Sequence, residues 1–461
     1  MIKPVLLWSD ALILLLLALV ATGLWLARRN ETLRMPLRQV MASPMGASTG
    51  LLLAIYAVIG LLDSVHYVER LPEVPGKSAQ YSGEVRSALD ALLTPLRENV
   101  EKTYSAPFAT HLYAKETITG PDDRETRDFP RLNRGGQHLA DPETDFWPDV
   151  LKRGGLGVLA GMAVWLVVMR LETVGEKKRR EKRPPWQRGK SNRAFLLTLL
   201  ILCLVSGLLV ALAPHYHILG SDKVGQDVLY LALKSVRTGL LIGSLTTLIM
   251  LPFALSMGIA AGYFGGRVDD VIQYLYTTLN SIPGVLLIAA SVLVVQVQIE
   301  AHAALFDTAA ARSDVRLLAL CAILGLTGWT GLARLLRAET LKLRELEFVQ
   351  AARAFGVGHG RILLRHLLPN VMHLVLITVV IDFSGLVLAE AVLSYVGVGV
   401  DPAMISFGNM INGARLELAR EPVVWWQLAA AFVFMFVLVL AANLFADQVR
   451  DALDPKSKGR A

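Results

Sequence analysis

Ionisable side chains inside long apolar runs are the residues of this sequence that could carry chemistry. Arg237 lies near the start of one such run, and Asp382 and Glu390 lie within another. Charges at membrane depth are costly and usually face a cavity or a partner. Asp382 and Glu390 are eight residues apart, about two helical turns, so we expect them to share a helix face. All three are candidates for lining a translocation path or its gate. The alternative is structural pairing, of Asp382 with Arg237 or of either acid with a neighbouring subunit.

Motifs for nucleotide or metal chemistry are incomplete in this sequence. A Gly-Lys-Ser triplet begins at Gly76 and another begins at Gly189, as at the end of a phosphate-binding loop. That loop needs a glycine five residues earlier, where this chain has Leu71 and Pro184. The spacing of Cys and His residues does not indicate a metal site. We therefore expect no catalytic residue, no metal ion and no bound cofactor in this chain.

The elements that must position the charged residues are membrane-spanning helices. The chain has 461 residues, is 54% hydrophobic and has a mean hydropathy of +0.48. Several apolar runs reach the length of about 20 residues that spans a bilayer as a helix, and they do not alternate as β-barrel strands do. We predict an all-α polytopic membrane protein. Its nine candidate spans are about 4–27, 46–66, 154–171, 194–213, 235–262, 271–297, 316–336, 371–399 and 423–446.

The basic residues predict the orientation of these spans. The net charge of +7 gathers in short loops beside apolar runs, as expected for cytoplasmic loops, and this pattern argues against nucleic-acid binding. With the C-terminus cytoplasmic, nine crossings place the N-terminus outside. The basic regions are the loop from Arg28 to Arg38, the run from Lys177 to Arg193, the segment from Arg334 to Arg365, and the tail from Arg450 to Arg460.

Residues 67–153, which we call the insert, form one long hydrophilic segment on the predicted outer side. Leucines at helical spacing predict an amphipathic helix over about 80–104. Residues 105–150 are polar and less periodic, so two possibilities stay open: a small domain packed on the membrane part, or a partly ordered loop. The insert could contact a docked partner or cover the outer mouth of the protein.

The polar, basic stretch from Glu347 to Val371 lies between two apolar runs and must therefore lie in water beside the membrane. Ala351, Ala352 and Gly356 are small, so a partner surface could approach the backbone there. Glycine adopts positive φ readily, and Pro369 can open the following span where a missing amide donor costs little. A docking hairpin is one interpretation, and a merely solvated loop is the other. The predicted docking residues are Glu347, Gln350, Ala351, Ala352, Gly356, Ile362, His366 and Pro369.

From about His215 to Pro455 the chain resembles the C-type subunits of the dipeptide/oligopeptide permease family of ATP-binding-cassette (ABC) importers. Eight pieces follow in the family's order, and the stretch from Glu347 is similar to its EAA loop. Gln226 and Gln350 depart from the usual Arg and Glu of the family. The other pieces are LGSDKVGQDVL (Leu219–Leu229), AGYFGGRVDD (Ala261–Asp270), NSIPGVLL (Asn280–Leu287), GWTGLARLLRAETLKLRE (Gly328–Glu345), LAEAVLSYVGVGV (Leu388–Val400), SFGNMI (Ser406–Ile411) and NLFADQVRDALDP (Asn443–Pro455).

The resemblance implies a type I ABC importer transmembrane fold with a six-helix core, preceded here by about three extra spans. It implies that residues 345–370, which we call the coupling segment, dock on cytoplasmic ATPase subunits that bind the ATP and Mg²⁺. It also implies a B-type permease partner, a periplasmic substrate-binding protein and a bacterial inner-membrane location. The expected division is 1–66, two transmembrane helices; 67–153, the insert; 154–193, a third transmembrane helix and basic linker; and 194–455, the permease core.

Three functions remain open from the sequence. The first is a permease subunit that moves di- or oligopeptides by alternating access, without enzymatic activity of its own. The second is a permease of the same type for another substrate, such as a nickel chelate or a glycoside. The third is a membrane sensor or scaffold that does not transport. The coupling segment favours the first two, because an anchor needs no ATPase-docking site.

Overall fold

In a computed structural model of the protein, the described residues are 2–29, 31–71, 81–119, 125–179, 190–306 and 308–453. Helices dominate these ranges. The strands are β1 (Ile2–Val5), β2 (His66–Arg70), β3 (Tyr81–Ser87), β4 (Glu116–Thr119) and β5 (Glu125–Asp128). The helices are α1 (Trp8–Arg29), α2 (Glu31–Ala42), α3 (Pro44–Asp63), α4 (Ala88–Leu92), α5 (Thr94–Glu98), α6 (Pro142–Arg179), α7 (Lys190–Leu212), α8 (Val228–Phe264), α9 (Gly266–Ser281), α10 (Gly284–Ala301), α11 (Ala309–Gly328), α12 (Thr330–Arg344), α13 (Glu347–Ala354), α14 (His359–Ile362), α15 (Leu368–Val396), α16 (Phe407–Arg415) and α17 (Trp426–Leu453).

Within these ranges, eight helical segments are long and apolar enough to cross a membrane. They account for eight of the nine predicted spans. For the first span, α1 is helical, but its apolar part covers only Trp8–Gly23. The protein is thus an α-helical membrane protein that crosses the bilayer many times. The eight segments are Pro44–Asp63, Pro142–Leu171, Arg193–Leu212, Val228–Phe264, Gly284–Ala301, Ala309–Arg344, His359–Val396 and Trp426–Ala452.

The predicted span over 271–297 is wrong in its first half. Helix α9 ends at Ser281, and the apolar spanning helix α10 begins only at Gly284. Pro283 causes the break, because the residue before a proline avoids the helical region. Ile282 is accordingly extended, with φ −91° and ψ 131°.

The chain divides into two compact units that cut across the four predicted segments. One unit comprises Met1–Val5, Leu26–Thr238 and Ile405–Gln448, and the other comprises Leu6–Trp25, Gly239–Met404 and Val449–Ala461. The first unit contains the insert together with the start of the predicted core. The second contains the coupling segment. Most of the basic run from Lys177 to Arg193, residues 180–189, lies outside the described residues, as does most of the basic tail.

In the first unit, α6 and α7 approach so closely that only glycine fits at the crossing. A Cβ on Gly157 would lie 2.4 Å from the carbonyl oxygen of Gly207, and one on Gly161 would lie 2.2 Å from that of Cys203. Small residues at such contacts let transmembrane helices pack backbone to backbone. The third predicted span is therefore packed firmly against the fourth.

The predicted amphipathic helix over 80–104 is wrong. Residues 81–87 form β3, which pairs antiparallel with β2, and β2 pairs in turn with β1. The helix begins only after Ser87, whose side chain accepts a hydrogen bond from the backbone of Asp90 in a capping box. Two short helices follow, and they end at Leu93 and Asn99. The leucines therefore do not share one helix face: Leu89 is buried, whereas Leu92 is 65% exposed.

The described part of the insert packs on the loop between α7 and α8, as a small domain would. The backbone N–H of Glu101 donates to the carbonyl of Gly225 (2.9 Å), and that of Ser221 donates to Ser105 (3.0 Å). A Cβ on Gly225, which has φ +79°, would lie 1.8 Å from the carbonyl oxygen of Glu101. Only glycine allows this contact. The insert thus packs on the LGSDKVGQDVL stretch of the same chain.

A buried charge triad holds this packing. His217 Nδ1 lies 2.8 Å from Asp227 Oδ2 and its Nε2 lies 3.4 Å from Glu101 Oε1, with all three side chains at most 1% exposed. Glu101 also accepts the backbone N–H groups of Asn133, Arg134 and Gly135. Burial alone would lower the pKa of His217, but its hydrogen bonds to Asp227 and Glu101, and their charges, raise it to about 9. An imidazolium therefore joins the insert to the start of α8.

We predict that this triad makes stability pH-dependent. Because the pKa of His217 is raised, its contribution is complete below the unfolded value of about 6.5 and is lost as the pH rises through about 9. Relative to His217→Gln, the wild-type protein should lose stability on the order of 3 kcal/mol between those pH values. Thermal unfolding in detergent at several pH values measures this difference. His111→Gln, at an exposed position of the insert, should keep the wild-type pH profile, and parallel profiles for wild type and His217→Gln would contradict the prediction.

Candidate functional site

The coupling segment is a folded hairpin with one buried side. Val349 on α13, Ile362 on α14 and Leu367 beyond it are each fully buried. They belong to one apolar cluster with residues of α8, α12 and α15. Burying such side chains stabilises a structure by about 1.5–3 kcal/mol each, so the hairpin is fixed on the helices beneath it.

A left-handed turn separates the two arms of the hairpin. Gly356 has φ +74°, its N–H donates to the carbonyl of Arg353, and the N–H of Val357 donates to that of Ala352. These two bonds form the Schellman motif that ends α13. Helix α14 follows directly, so the chain reverses within a few residues and leaves Phe355 at the tip.

The second arm continues into the membrane through a wider turn. Residues Leu363–Leu367 are a π-helix, in which the N–H of Leu368 donates to the carbonyl of Leu363. Pro369 stands in the first turn of α15, and a proline inside a helix removes a bond and crowds the carbonyl four residues earlier. The π-turn gives that crowded carbonyl room. From the start of α14 to the end of α15, the chain is therefore continuously helical.

Helices α8 and α12 form the support of the hairpin, and they pack through glycine. A Cβ on Gly258 would lie 2.7 Å from the carbonyl oxygen of Ala333, and one on Gly262 would lie 2.6 Å from Thr340 Cβ. Arg344 at the end of α12 donates to the Gly262 carbonyl (3.2 Å). The two helices are thus held at backbone distance directly below the coupling segment.

Polar contacts join the hairpin to the same support. The hydroxyl of Tyr263 on α8 lies 2.9 Å from His359 Nδ1 on α14. The guanidinium of Arg353 on α13 lies 5.8 Å from the centre of the Tyr263 ring, within the range of a cation–π contact. Nearby, Arg337 Nη2 lies 2.6 Å from Asp269 Oδ2 in a two-pronged ion pair that joins α12 to α9. Both arms are therefore tied to α8 through the same residue, Tyr263.

The side of the hairpin that faces away from this support carries apolar side chains among charged ones. Phe355 is 87% exposed and Leu364 is 69% exposed, with Leu346 and Phe348 both above 40%. Arg361 and Arg365 are exposed on the second arm. Exposed apolar groups rimmed by polar residues are typical of a protein-binding surface.

The structure separates the predicted docking residues into two groups. Glu347, Gln350, Ala351, Gly356 and Pro369 are exposed, whereas Ala352 and Ile362 are buried. His366 is half-buried, with its ring centre 6.2 Å from that of Phe348.

The side chain of Ala352 faces the apolar cluster below the hairpin. Docking of a partner at the predicted residues stays a prediction. Sequence reasoning missed Phe355. The sequence did contain a signal for Phe355, which is an aromatic residue directly before a glycine. A glycine there indicates the end of a helix, where a side chain has few neighbours to bury it.

The three candidates for a translocation path lie in different surroundings. Glu390 on α15 is 1% exposed and accepts a hydrogen bond from the Ser394 hydroxyl (2.8 Å). Asp382, on the same helix, is half-buried. Arg237 on α8, in the other unit, is 6% exposed and donates to Ser64 Oγ at the end of α3 (3.2 Å). Their role in a path stays a prediction.

A set of spanning helices with a folded, partly apolar hairpin between two of them is the arrangement of a membrane permease. The sequence model of the family described as binding-protein-dependent transport system inner membrane component matches residues 254–459. An oligopeptide transport system permease protein, OppC, of Mycobacterium tuberculosis is 32% identical over 242 residues, which cover 52% of this chain and 77% of that protein. The chain belongs to this family of inner-membrane transport components.

Within the family, the chain is similar to C-type peptide permease subunits. OppC of Haemophilus influenzae is 30% identical over 243 residues, or 53% of this chain and 71% of that protein. The dipeptide transport system permease protein DppC of Bacillus subtilis is 27% identical over 290 residues, or 59% of this chain and 84% of that protein. Each of these matches leaves a large part of the present chain uncovered.

We predict that the two sides of the hairpin respond differently to truncation. Ile362→Ala removes a fully buried side chain and should lower the free energy of unfolding by about 2–5 kcal/mol. Leu364→Ala, two residues away and 69% exposed, should change it by less than about 0.5 kcal/mol. Denaturant unfolding in mixed micelles measures both values. Equal effects of the two changes would mean that the hairpin is not packed as described.

Proposed function

We propose that this chain is the permease subunit of an ABC importer that moves di- or oligopeptides across the bacterial inner membrane. Family membership supports an importer, and the names of the similar proteins support a peptide substrate. In this proposal, ATP and Mg²⁺ bind to separate ATPase subunits. Their closure moves the coupling segment and, through it, α8, α12 and α15.

The proposal includes three kinds of partner. A B-type permease completes the pathway, two ATPase domains dock on the cytoplasmic side, and a periplasmic binding protein delivers the peptide. The basic residues around the coupling segment support a cytoplasmic location for it. With the C-terminal tail on the same side, the insert faces the periplasm.

The observation that carries the proposal is the position of Phe355. Its ring is 87% exposed at the tip of a hairpin whose opposite side is buried. Aromatic anchors that fill a pocket of the partner carry much of the energy of protein–protein contacts. A rigid base and an exposed aromatic tip are what an element needs if it is to transmit force from a docked ATPase.

Phe355→Ala tests this proposal more cleanly than a change at Gly356, where φ of +74° would strain any side chain. We expect the variant to fold normally and to lose at least about 2 kcal/mol of ATPase binding, a fall of about 30-fold in affinity. Co-purification of the ATPase subunits and peptide-stimulated ATP hydrolysis measure the loss.

Leu305→Ala is the matched control. Leu305 is 76% exposed, but it precedes the N-terminal end of α11, whereas the coupling segment follows α12 on the C-terminal side. This variant should bind the ATPase subunits as the wild type does. Normal ATPase binding by Phe355→Ala would exclude the hairpin tip as the docking element. The absence of any ATPase from the wild-type complex would favour the sensor or scaffold function.

We also propose that the insert contacts the binding protein through its β4–β5 hairpin. These strands form a separate two-stranded sheet, and all four residues of β5 are exposed. The remainder of the insert is held on the core by Glu101 and Ser105. A base held on the core together with an exposed two-stranded sheet suits a docking platform.

Replacing residues 116–128 by a short Gly-Ser linker should therefore weaken binding of the substrate-binding protein at least about tenfold, while assembly with the other subunits persists. Surface binding assays on the reconstituted complex give both values. Lys102→Ala controls for the lost ion pair between Lys102 and Glu116 (2.7 Å), which is exposed and contributes little. Unchanged affinity of the linker variant would remove the hairpin from the docking surface.

A further inference from the structure

Asp382 is a carboxylate at the middle of a membrane-spanning helix. It lies 14 residues from each end of α15, the helix Leu368–Val396, or about 21 Å along the axis in either direction. Charged side chains at this depth are costly and mark functional positions in membrane proteins. Its location alone therefore requires an explanation.

The surroundings of Asp382 do not supply one. Among the residues that the structure describes, none donates a hydrogen bond to this carboxylate or forms an ion pair with it. Glu390, two turns further along the helix, is different. It is only 1% exposed, and its carboxylate accepts a hydrogen bond from the Ser394 hydroxyl. Glu390 is thus part of the packed interior, whereas Asp382 is half-buried and presents an unused acceptor.

The accessible side of α15 lies next to Asp382. Ile381, Gly385 and Leu388 are exposed and follow one stripe along the helix. Asp382 stands about 100° from Ile381 around the axis, at the border of this stripe. On the other side of Asp382, away from this stripe, Phe383 packs on α8, where a Cβ on Gly243 would lie 2.5 Å from its ring. A Cβ on Gly385 would meet nothing within 4 Å, so the helix surface beside Asp382 is open.

We propose that Asp382 is a specificity-determining residue that binds an ammonium group of the passing peptide. The inference rests on the proposed transport function. A carboxylate is not stable against lipid at this depth, so its open side faces a passage that admits water and polar solutes. Every unblocked peptide carries an α-ammonium, and peptides with lysine carry a second. Either group offers the charge-assisted hydrogen bonds that the carboxylate lacks.

The contact is used in transit and not at rest. A single carboxylate in a wet passage can hold an ammonium weakly enough to release it, as a transport pathway requires. The result is a preference among peptides that the binding protein has already delivered. Asp382 then adds selection inside the membrane to the selection made outside it.

The test uses the complete complex, reconstituted in proteoliposomes with saturating binding protein, and three peptides of equal length. N-acetyl-Ala-norleucine-Ala carries no ammonium, Ala-norleucine-Ala carries only the α-ammonium, and N-acetyl-Ala-Lys-Ala carries only the side-chain ammonium. Asp382→Asn should reduce uptake of one or both ammonium peptides about tenfold and leave uptake of the peptide without an ammonium unchanged. The affected peptide identifies which ammonium is bound.

Two further variants complete the design. Asp382→Glu keeps the charge and should restore most of the uptake of the affected peptide. Asp270→Asn removes an exposed acid of α9 and should transport all three peptides as the wild type does. The effect of Asp382→Asn must therefore come from the loss of charge at this one position.

Equal loss of all three peptides in Asp382→Asn would overturn the inference, and so would unchanged uptake of all three. Loss of the partner permease on purification of Asp382→Asn would also overturn it, because Asp382 would then pair with a cation of that subunit. A wild-type complex that imports none of the peptides would instead contradict the proposed transport function. The two failures are thus distinguishable.

Discussion

The close approach of α8 and α12 is the constraint on which the coupling segment depends. At Gly258 and Gly262 the two backbones leave no room for a Cβ. This contact brings Tyr263 under the hairpin and lets Arg344 cap the end of α8. Both arms of the hairpin pack on this same pair of helices, so the hairpin and the spans beneath it share one apolar cluster.

The insert shows a second use of close backbone contact. Gly225 belongs to a stretch that resembles the family pattern, yet in this protein it also receives the chain at Glu101. The contact is closed by a histidine held between two acids in the interior. Removing one partner of such a buried ion pair strongly destabilises a protein, because the other partner is left as an uncompensated charge. Insert and core are consequently one structure in this unit, although only the core resembles the family.

Sequence reasoning predicted the spans well, because hydrophobic length is a property of the local sequence. It placed the coupling segment through small residues, glycine and proline at fixed positions. It failed where contacts between residues distant in sequence determine the secondary structure or the burial of a residue. The leucines of 80–104 have helical spacing, but β3 takes the first residues of that stretch into a sheet with β2. Ala352 and Ala351 are identical in type, and only packing makes the first buried and the second exposed. The charge triad joins Glu101 to Asp227 across more than a hundred residues, a pairing that spacing in the sequence cannot reveal.

The three-stranded sheet at the start of the chain has a consequence for biosynthesis. Strand β1 pairs with β2, which follows α3, and β2 pairs with β3 within the insert. Residues 2–5 must therefore end on the same side of the membrane as residues 66–70, and they can pair with β2 only after α1, α2 and α3 have been made. During that interval residues 2–5 are without the strand that they pair with in the finished sheet. The sheet can thus close only after α1 and α3 have been made, so strand pairing here follows the synthesis of the first helices and cannot guide it.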